Sequence, residues 1–128
     1  MLNYLFIALG SALGGISRYW LTEFIAHRWR DDFPVGTLIV NVTGSFLVGF
    51  IAALTGIEGP ARVSLTTKNF FIIGICGGYT TFSSFSLRTV DLARTGQWLY
   101  ASANVLLSVT LCLSATLLGL ATARLFHR

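Results

Sequence analysis

The chain has 128 residues, of which 54% are hydrophobic and 11% charged, and its mean hydropathy is +0.72. Soluble domains carry about 25% charged residues, so this composition excludes an ordinary soluble domain, and its apolar content excludes a disordered chain. The formal net charge of +4 comes from residues scattered over short segments, which favours lipid headgroups as partners and predicts no nucleic-acid binding. We therefore expect one domain, over residues 1–128, mostly embedded in a lipid bilayer.

The charged residues are clustered, and the stretches between the clusters are long enough to cross a bilayer. No charge occurs in residues 1–17, 33–57, 69–87 and 95–123. The predicted spans, in chain order, are Leu2–Ala26, Val35–Leu54, Asn69–Leu92 and Leu99–Leu125. Because the apolar runs are continuous rather than alternating, we predict α-helices and not barrel strands. The predicted fold class is an all-α integral membrane protein with four transmembrane helices.

Arg18 is a charged residue inside the first predicted span, in the segment GGISRY at 14–19. An ionisable side chain at that depth is a candidate for function. Glu23 lies five residues further along, on a different helical face, so we do not expect the two charges to neutralise each other. Arg18 is close enough to the helix end for its side chain to reach the interface, which favours an electrostatic or structural role over direct binding.

Asn41 places an amide at membrane depth in the second predicted span, about two turns after its start. Its N–H groups could donate hydrogen bonds to an anion. The alternative role is a hydrogen bond that holds two helices together. The sequence leaves both roles open.

The segment GICGGYTTFSSFS at 74–86 lies in the middle of the third predicted span. Paired glycines followed by hydroxyl residues are unfavourable for a continuous helix, so we predict a break near Gly77–Thr81. The alternative is a kinked helix in which Gly74 and Gly78 form a packing face of small residues. A break would leave free carbonyls on the first half-helix and free N–H groups on the second. A bilayer tolerates such backbone only where protein or a water-filled site surrounds it.

Phe82 and Phe85 follow the predicted break and lie on one face of the next helical turn. An aromatic ring has a positive edge, so two rings presented edge-on could contact an anion without a buried cation. Ordinary core packing is the alternative for both rings.

In the fourth span, Asn104, Ser108 and Cys112 recur every four residues and form a mildly polar stripe. Packing or lipid contact is the alternative for this stripe.

The basic residues other than Arg18, which lies within span one, divide equally between the two sides of the membrane. One side receives Arg62, Lys68, Arg124 and Arg128, and the other receives Arg28, Arg30, Arg88 and Arg94. Because an excess of Lys and Arg on one side sets orientation, an equal division predicts insertion in both orientations and an antiparallel dimer. The alternative is one orientation, fixed by features that a count of charges does not detect. In an antiparallel dimer the two breaks would meet at the midplane, where their carbonyls could surround one monovalent cation.

Three segments together resemble the fluoride ion channel family, also called Fluc or CrcB: GGISRY at 14–19, GTLIVNVTG at 36–44 and GICGGYTTFSSFS at 74–86. The resemblance covers essentially the whole chain. Its GGxTTFSxFS portion is specific, and its match in span four is weak. It implies a dual-topology antiparallel homodimer with two fluoride pathways and a central structural sodium ion as cofactor.

By matching positions, the resemblance assigns roles to individual residues of this chain. The fluoride pathway would be lined by Asn41, Phe82, Phe85, Ser84 and Ser108. Gly77 and Thr80 would offer backbone carbonyls to the sodium ion, and Arg18 would lend positive potential to a vestibule. Arg88 is a departure, because a glutamate is common there in the family, and we expect altered vestibule electrostatics or an altered contact between subunits.

The implied function is a passive, fluoride-selective channel of the inner (plasma) membrane that exports cytoplasmic fluoride and confers fluoride resistance. Its partners would be fluoride, the lipid bilayer and a second copy of the chain, and we predict no enzymatic activity. The strongest alternative is a small dual-topology multidrug or cation exporter, which would need an embedded carboxylate to exchange protons; Glu23 is the only candidate. A second alternative is an assembly subunit that transports nothing.

Overall fold

The computed structural model describes residues 1–56 and 59–126, and the regular structure of these residues is entirely helical. The elements in chain order are α1 Leu2–Arg28, α2 Val35–Thr55, α3 Leu65–Asn69, the π-helix π1 Phe70–Cys76, α4 Gly77–Tyr79, α5 Phe82–Arg94 and α6 Trp98–Leu125. The four predicted spans therefore coincide with helical structure, and their ends differ from it by a few residues. The all-α prediction is confirmed for the described residues.

Three stretches of the described chain are long and apolar enough to cross a membrane. They are Val35–Thr55, Leu65–Arg94 and Trp98–Leu125, with mean hydropathies of 2.0, 1.4 and 2.1 in their most apolar parts. The helix α1 has 27 residues, which is sufficient length for a span, but it is less apolar than the other three. The structure thus supports an embedded helical protein, and the crossing by α1 stays a prediction.

The third predicted span is interrupted, as its sequence predicts. The helical run 65–79 ends at Tyr79, Thr80 and Thr81 are extended (ψ 156° and 109°), and α5 begins at Phe82. Gly77 itself keeps helical dihedral angles (φ −65°, ψ −38°), so the break lies at the C-terminal end of the predicted segment. The threonines interrupt the helix because the Thr81 hydroxyl accepts a hydrogen bond from the Ser84 N–H at 3.1 Å and caps the start of α5.

The glycines in the run 65–79 pack against α1. The sequence offered this packing role as the alternative to a break. A Cβ on Gly10 of α1 would lie 2.6 Å from the Phe70 carbonyl oxygen and 2.9 Å from the Gly74 Cα. A Cβ on Gly78 would lie 2.8 Å from the Ser11 Cα. Backbone therefore packs directly on backbone between α1 and the run 65–79. The segment therefore has both predicted features. Its glycines form the close contact with α1, and its threonines form the break.

The helices α2 and α6 form the other close pair. Cβ atoms on Gly49 and Gly119 would collide with the carbonyl oxygens of Thr116 and Phe46, respectively. The Thr116 hydroxyl also donates to the Ser45 carbonyl at 3.1 Å. α5 packs on α6 as well. The start of α5 thus borders a cavity that α2 and α6 also line, and several polar residues lie there.

Candidate functional site

A cavity of about 430 Å³ lies beside the break in the third span, between α2, π1, α5 and α6. Four of the five predicted pathway residues line it: Asn41, Phe82, Phe85 and Ser108. Gly77 and Thr80, the two residues expected to hold sodium, line it too. Residues from three separate stretches of the sequence, in α2, in 72–85 and in α6, thus meet at one cavity whose mostly apolar lining includes a few polar groups.

Ser84, the fifth predicted pathway residue, is not in this cavity. It lines a smaller neighbouring cavity of about 180 Å³, together with Arg18, Glu23 and Thr37. Thr81 lines both cavities. The two cavities therefore meet at the extended backbone of the break. The smaller cavity is called the antechamber below.

Asn41 is bound to the break through both ends of its amide. Its Nδ2 donates to the Thr81 carbonyl at 3.0 Å, and its Oδ1 accepts from the Thr81 N–H at 2.8 Å. The interhelical role that the sequence left open is therefore present. Because an amide has two N–H donors, one remains beyond the bond to Thr81, and Asn41 also lines the larger cavity. Bracing the break and donating to an anion are compatible roles for this side chain.

Arg18 contacts the other side of the break. Its Nε donates to the Gly78 carbonyl at 3.2 Å, and its side chain is half-buried. A guanidinium on a carbonyl at a helix C-terminus satisfies an oxygen that lost its helical partner and favours the negative end of the helix dipole. The structural role expected for Arg18 thus has a specific partner, and its charge lies in the antechamber with Ser84.

The carbonyls of Gly77 and Thr80 lose their regular helical donors at the break. The Thr81 N–H, four residues after Gly77, bonds Asn41 instead. The Ser84 N–H, which would reach Thr80 in a continuous helix, bonds the Thr81 hydroxyl. Both oxygens are thereby available to a hard monovalent cation, which prefers oxygen ligands. In the described residues, no group of three or more His, Cys, Asp or Glu side chains is arranged to hold a metal ion.

The two phenylalanines lie together at the cavity. Their ring centroids are 5.2 Å apart and the rings are inclined by 51°. Phe85 is half-buried, whereas Phe82 exposes 78% of its surface. The pair is tilted rather than stacked, so ring edges as well as faces are directed into the space around it.

The polar stripe of α6 is linked to α5 by hydrogen bonds that the sequence did not predict. Asn104 is 1% exposed, and its Nδ2 donates to the Thr89 hydroxyl oxygen at 2.9 Å. The Ser108 hydroxyl donates to the Asn104 Oδ1 at 3.4 Å. Thr89 and Thr81 are therefore polar residues of the site region that sequence reasoning missed. The spacing of Thr81 before FSSFS is typical of a helix N-cap and could have identified it; no local pattern marks Thr89.

Cys76 and Cys112 also line the larger cavity. Cys76 is 3% exposed and Cys112 is half-buried, and free cysteines in such surroundings behave as small packing residues. Arg88 lies elsewhere: it is exposed and borders a cavity of about 120 Å³ with Asp31 and Asp32 of the loop between α1 and α2. The charge that departs from the family pattern thus lies beside acidic residues at a helix end.

The sequence matches a known family and several named proteins. The family described as CrcB-like protein, Camphor Resistance (CrcB), matches residues 5–120. A protein named fluoride-specific ion channel FluC from Methylocella silvestris is 51% identical over 118 residues, covering 92% of this chain and 90% of its own. FluC of Paramagnetospirillum magneticum is 50% identical over 128 residues, all of both chains. FluC of Coxiella burnetii is 42% identical over 125 residues, covering 96% of this chain and 98% of its own. With relatives of this identity along nearly its whole length, and with the broken helix and its Phe pair in place, this chain belongs to the CrcB (FluC) family.

Proposed function

We propose that this protein is a passive, fluoride-selective channel of the inner membrane that releases cytoplasmic fluoride and confers fluoride resistance. The observation that carries the proposal is the cavity at the break, where Asn41, Phe82, Phe85 and Ser108 come together. The curated relatives described above bear the name of this function. The exporter alternative depends on Glu23, which is exposed, and the names of the relatives do not favour it.

The donors around the cavity suit a small, strongly hydrated anion. Fluoride leaves water only if other donors replace its hydration shell, and this path offers an amide N–H of Asn41, the hydroxyl of Ser108 and the edges of two aromatic rings. Arg18 and Ser84 supply positive potential and a hydroxyl at the antechamber. None of the groups that line the larger cavity carries a full positive charge, so the anion is not held too tightly to leave. Larger halides would be excluded by a constriction along the pathway of the complete channel.

The transport requires no coupled energy source. A membrane potential of 100 mV is worth about 2.3 kcal/mol for one charge, which corresponds to roughly a fiftyfold concentration ratio. Hydrogen fluoride, a weak acid, enters the cell in its neutral form and dissociates inside. The fluoride anion then leaves down its electrical gradient. No step requires a nucleophile or a general base.

The complete channel is proposed to be an antiparallel homodimer with two pathways. A twofold axis in the membrane plane would bring the two breaks together at the midplane. The Gly77 and Thr80 carbonyls of both chains would then hold one structural sodium ion. Its charge would hold the two breaks against each other and fix the orientation of the backbone next to the Phe pair.

Anion efflux from liposomes containing the purified protein tests the proposal. We expect rapid release of fluoride and no release of chloride, measured with ion-selective electrodes. Liposomes without protein are the control for leakage. Replacing sodium with a large organic cation throughout purification and assay should abolish the fluoride flux. Absence of fluoride release in sodium would refute the channel, and proton-coupled uptake of an organic cation would favour an exporter.

A further inference from the structure

We propose that Asn104 is a positioning residue of the fluoride pathway. Its side-chain carbonyl is the resting acceptor of the Ser108 hydroxyl, which turns from Asn104 to fluoride while the anion passes. The inference rests on the proposed function, since it takes Ser108 as a donor to the anion. It assigns to Asn104 a part in conduction without contact with the ion.

The hydrogen bonds around Asn104 have a fixed direction. The Thr89 hydroxyl donates its single proton to the Phe85 carbonyl at 2.8 Å. Its oxygen is then an acceptor and receives the Asn104 Nδ2 at 2.9 Å. The amide group is thereby oriented with its oxygen toward Ser108, whose hydroxyl donates to it. A turned amide would present N–H groups to Ser108 and leave Thr89 without a donor.

The last bond of this series is the weakest. The Ser108 hydroxyl lies 3.4 Å from the Asn104 Oδ1, whereas hydroxyl hydrogen bonds are most often about 2.7–2.8 Å long. Ser108 lines the cavity and Asn104 does not. Rotation of one hydroxyl therefore exchanges a long internal bond for a bond to an anion in the cavity, and no backbone movement is needed.

This exchange of hydrogen-bond partners by the Ser108 hydroxyl favours both the binding and the release of fluoride. A polar hydrogen left unpaired in an apolar bundle is unfavourable, so a Ser108 hydroxyl without a resting acceptor would retain fluoride. With Asn104 as acceptor, the hydroxyl is paired both before the anion arrives and after it leaves. Weak, replaceable binding of this kind is what rapid passage requires. The same bonds connect Ser108 on α6 with the turn that carries the Phe85 ring on α5.

The fluoride efflux rate per folded channel tests the proposal in four variants. Thr89→Val keeps the side-chain shape but removes the acceptor that orients the amide, and Asn104→Leu removes the amide. Each should lower the rate by about fivefold, which is the effect of losing one hydrogen bond of ordinary net strength. Thr89→Ser retains the hydroxyl and should keep the wild-type rate. Thr122→Val is the matched control on α6, because the Thr122 hydroxyl bonds the Leu118 carbonyl of its own helix.

A double variant separates positioning from simple loss of structure. If Thr89 acts only by orienting Asn104, the Thr89→Val and Asn104→Leu changes together should be no slower than the slower single change. Independent, multiplying effects would overturn the proposal, as would a wild-type rate in Thr89→Val. If Asn104→Leu does not fold, as judged by size-exclusion chromatography, the comparison of Thr89→Val with Thr89→Ser decides. Failure of the wild-type protein to release fluoride would instead overturn the proposed function, and this inference with it.

Discussion

At the scale of single residues, Asn41 connects the stability of the break with the chemistry of the cavity. The extended backbone at Thr81 has a donor and an acceptor that no helix satisfies, and one amide side chain pairs with both. Lipid tails offer no donor or acceptor that could take over either bond. Asn41 therefore has a structural task that is independent of any contact with an anion.

Replacement of Asn41 by alanine should destabilise the fold. Loss of the amide leaves two backbone groups of Thr81 unpaired, and each costs about 1–3 kcal/mol when buried. The free energy of unfolding, measured by denaturant titration in detergent, should fall accordingly. Thr55→Val is the control on the same helix, because the Thr55 hydroxyl bonds the Ile51 carbonyl of α2 itself. An Asn41→Ala variant as stable as the control would contradict this role.

Replacement of the cavity phenylalanines should affect conduction more than folding. Phe82→Ile and Phe85→Ile retain apolar bulk but remove the positive ring edge, so fluoride efflux should fall by about tenfold or more in each, which is the effect of about 1.4 kcal/mol. Phe126→Ile is a suitable control, because Phe126 is exposed to a similar extent as Phe82 (73% against 78%) and lies at the end of α6. Wild-type flux in both cavity variants would refute the ring-edge contact.

At the scale of elements, small residues determine which helices pack together and how closely. Gly49 and Gly119 allow α2 and α6 to approach until backbone meets backbone, and Gly10 and Gly74 do the same for α1 and π1. In a membrane this close packing replaces the hydrophobic effect as the reason for helix association. The width of the cavity is set by these contacts, because they fix α2 and α6 on either side of the start of α5.

Gly119→Ala should destabilise the helix pair. Its Cβ would collide with the Phe46 carbonyl oxygen and lie 2.8 Å from the Phe50 nitrogen, an overpacking that costs about 1–3 kcal/mol. Gly15→Ala is the matched control, since nothing lies within 4 Å of a Cβ at that position and alanine favours helix. Thermal unfolding in detergent measures both. Equal midpoints for the two variants would show that α2 and α6 can separate without cost.

At the scale of the whole molecule, the single chain exposes many large apolar side chains, while the polar residues Asn104 and Ser108 are buried. Val40 and Asn104 are among the most buried side chains, while leucines along the long helices are exposed. Lipid accounts for the exposed leucines. Phe82 lines the cavity at the break and is nevertheless mostly exposed, and a second copy of the chain is the cover that we propose for it.

Labelling of an added cysteine should reveal insertion in both orientations. Thr95→Cys, in a chain whose Cys76 and Cys112 are replaced by alanine, places a thiol in the exposed turn between α5 and α6. A membrane-impermeant maleimide should label about half of the chains from each side of intact vesicles, because the basic residues show no bias. Leu107→Cys within α6 is the control and should be protected by lipid. Labelling from one side alone would contradict dual insertion.

The sequence by itself determined the all-helical, apolar class and the approximate limits of the helical segments, because the gaps between charges report directly on what can enter a bilayer. It also identified the break, since paired threonines after glycines disfavour a helix wherever they occur, and the resemblance to the family followed from the same segment. Contacts between distant segments were decided only by the tertiary structure. The pairing of Asn41 with Thr81, the bond from Arg18 to Gly78 and the series from Asn104 to Phe85 each join residues whose local patterns are independent of one another. Hydrophobicity and helix propensity are properties of short segments, whereas the partner of a buried polar group depends on which helices pack together, and that depends on the whole chain.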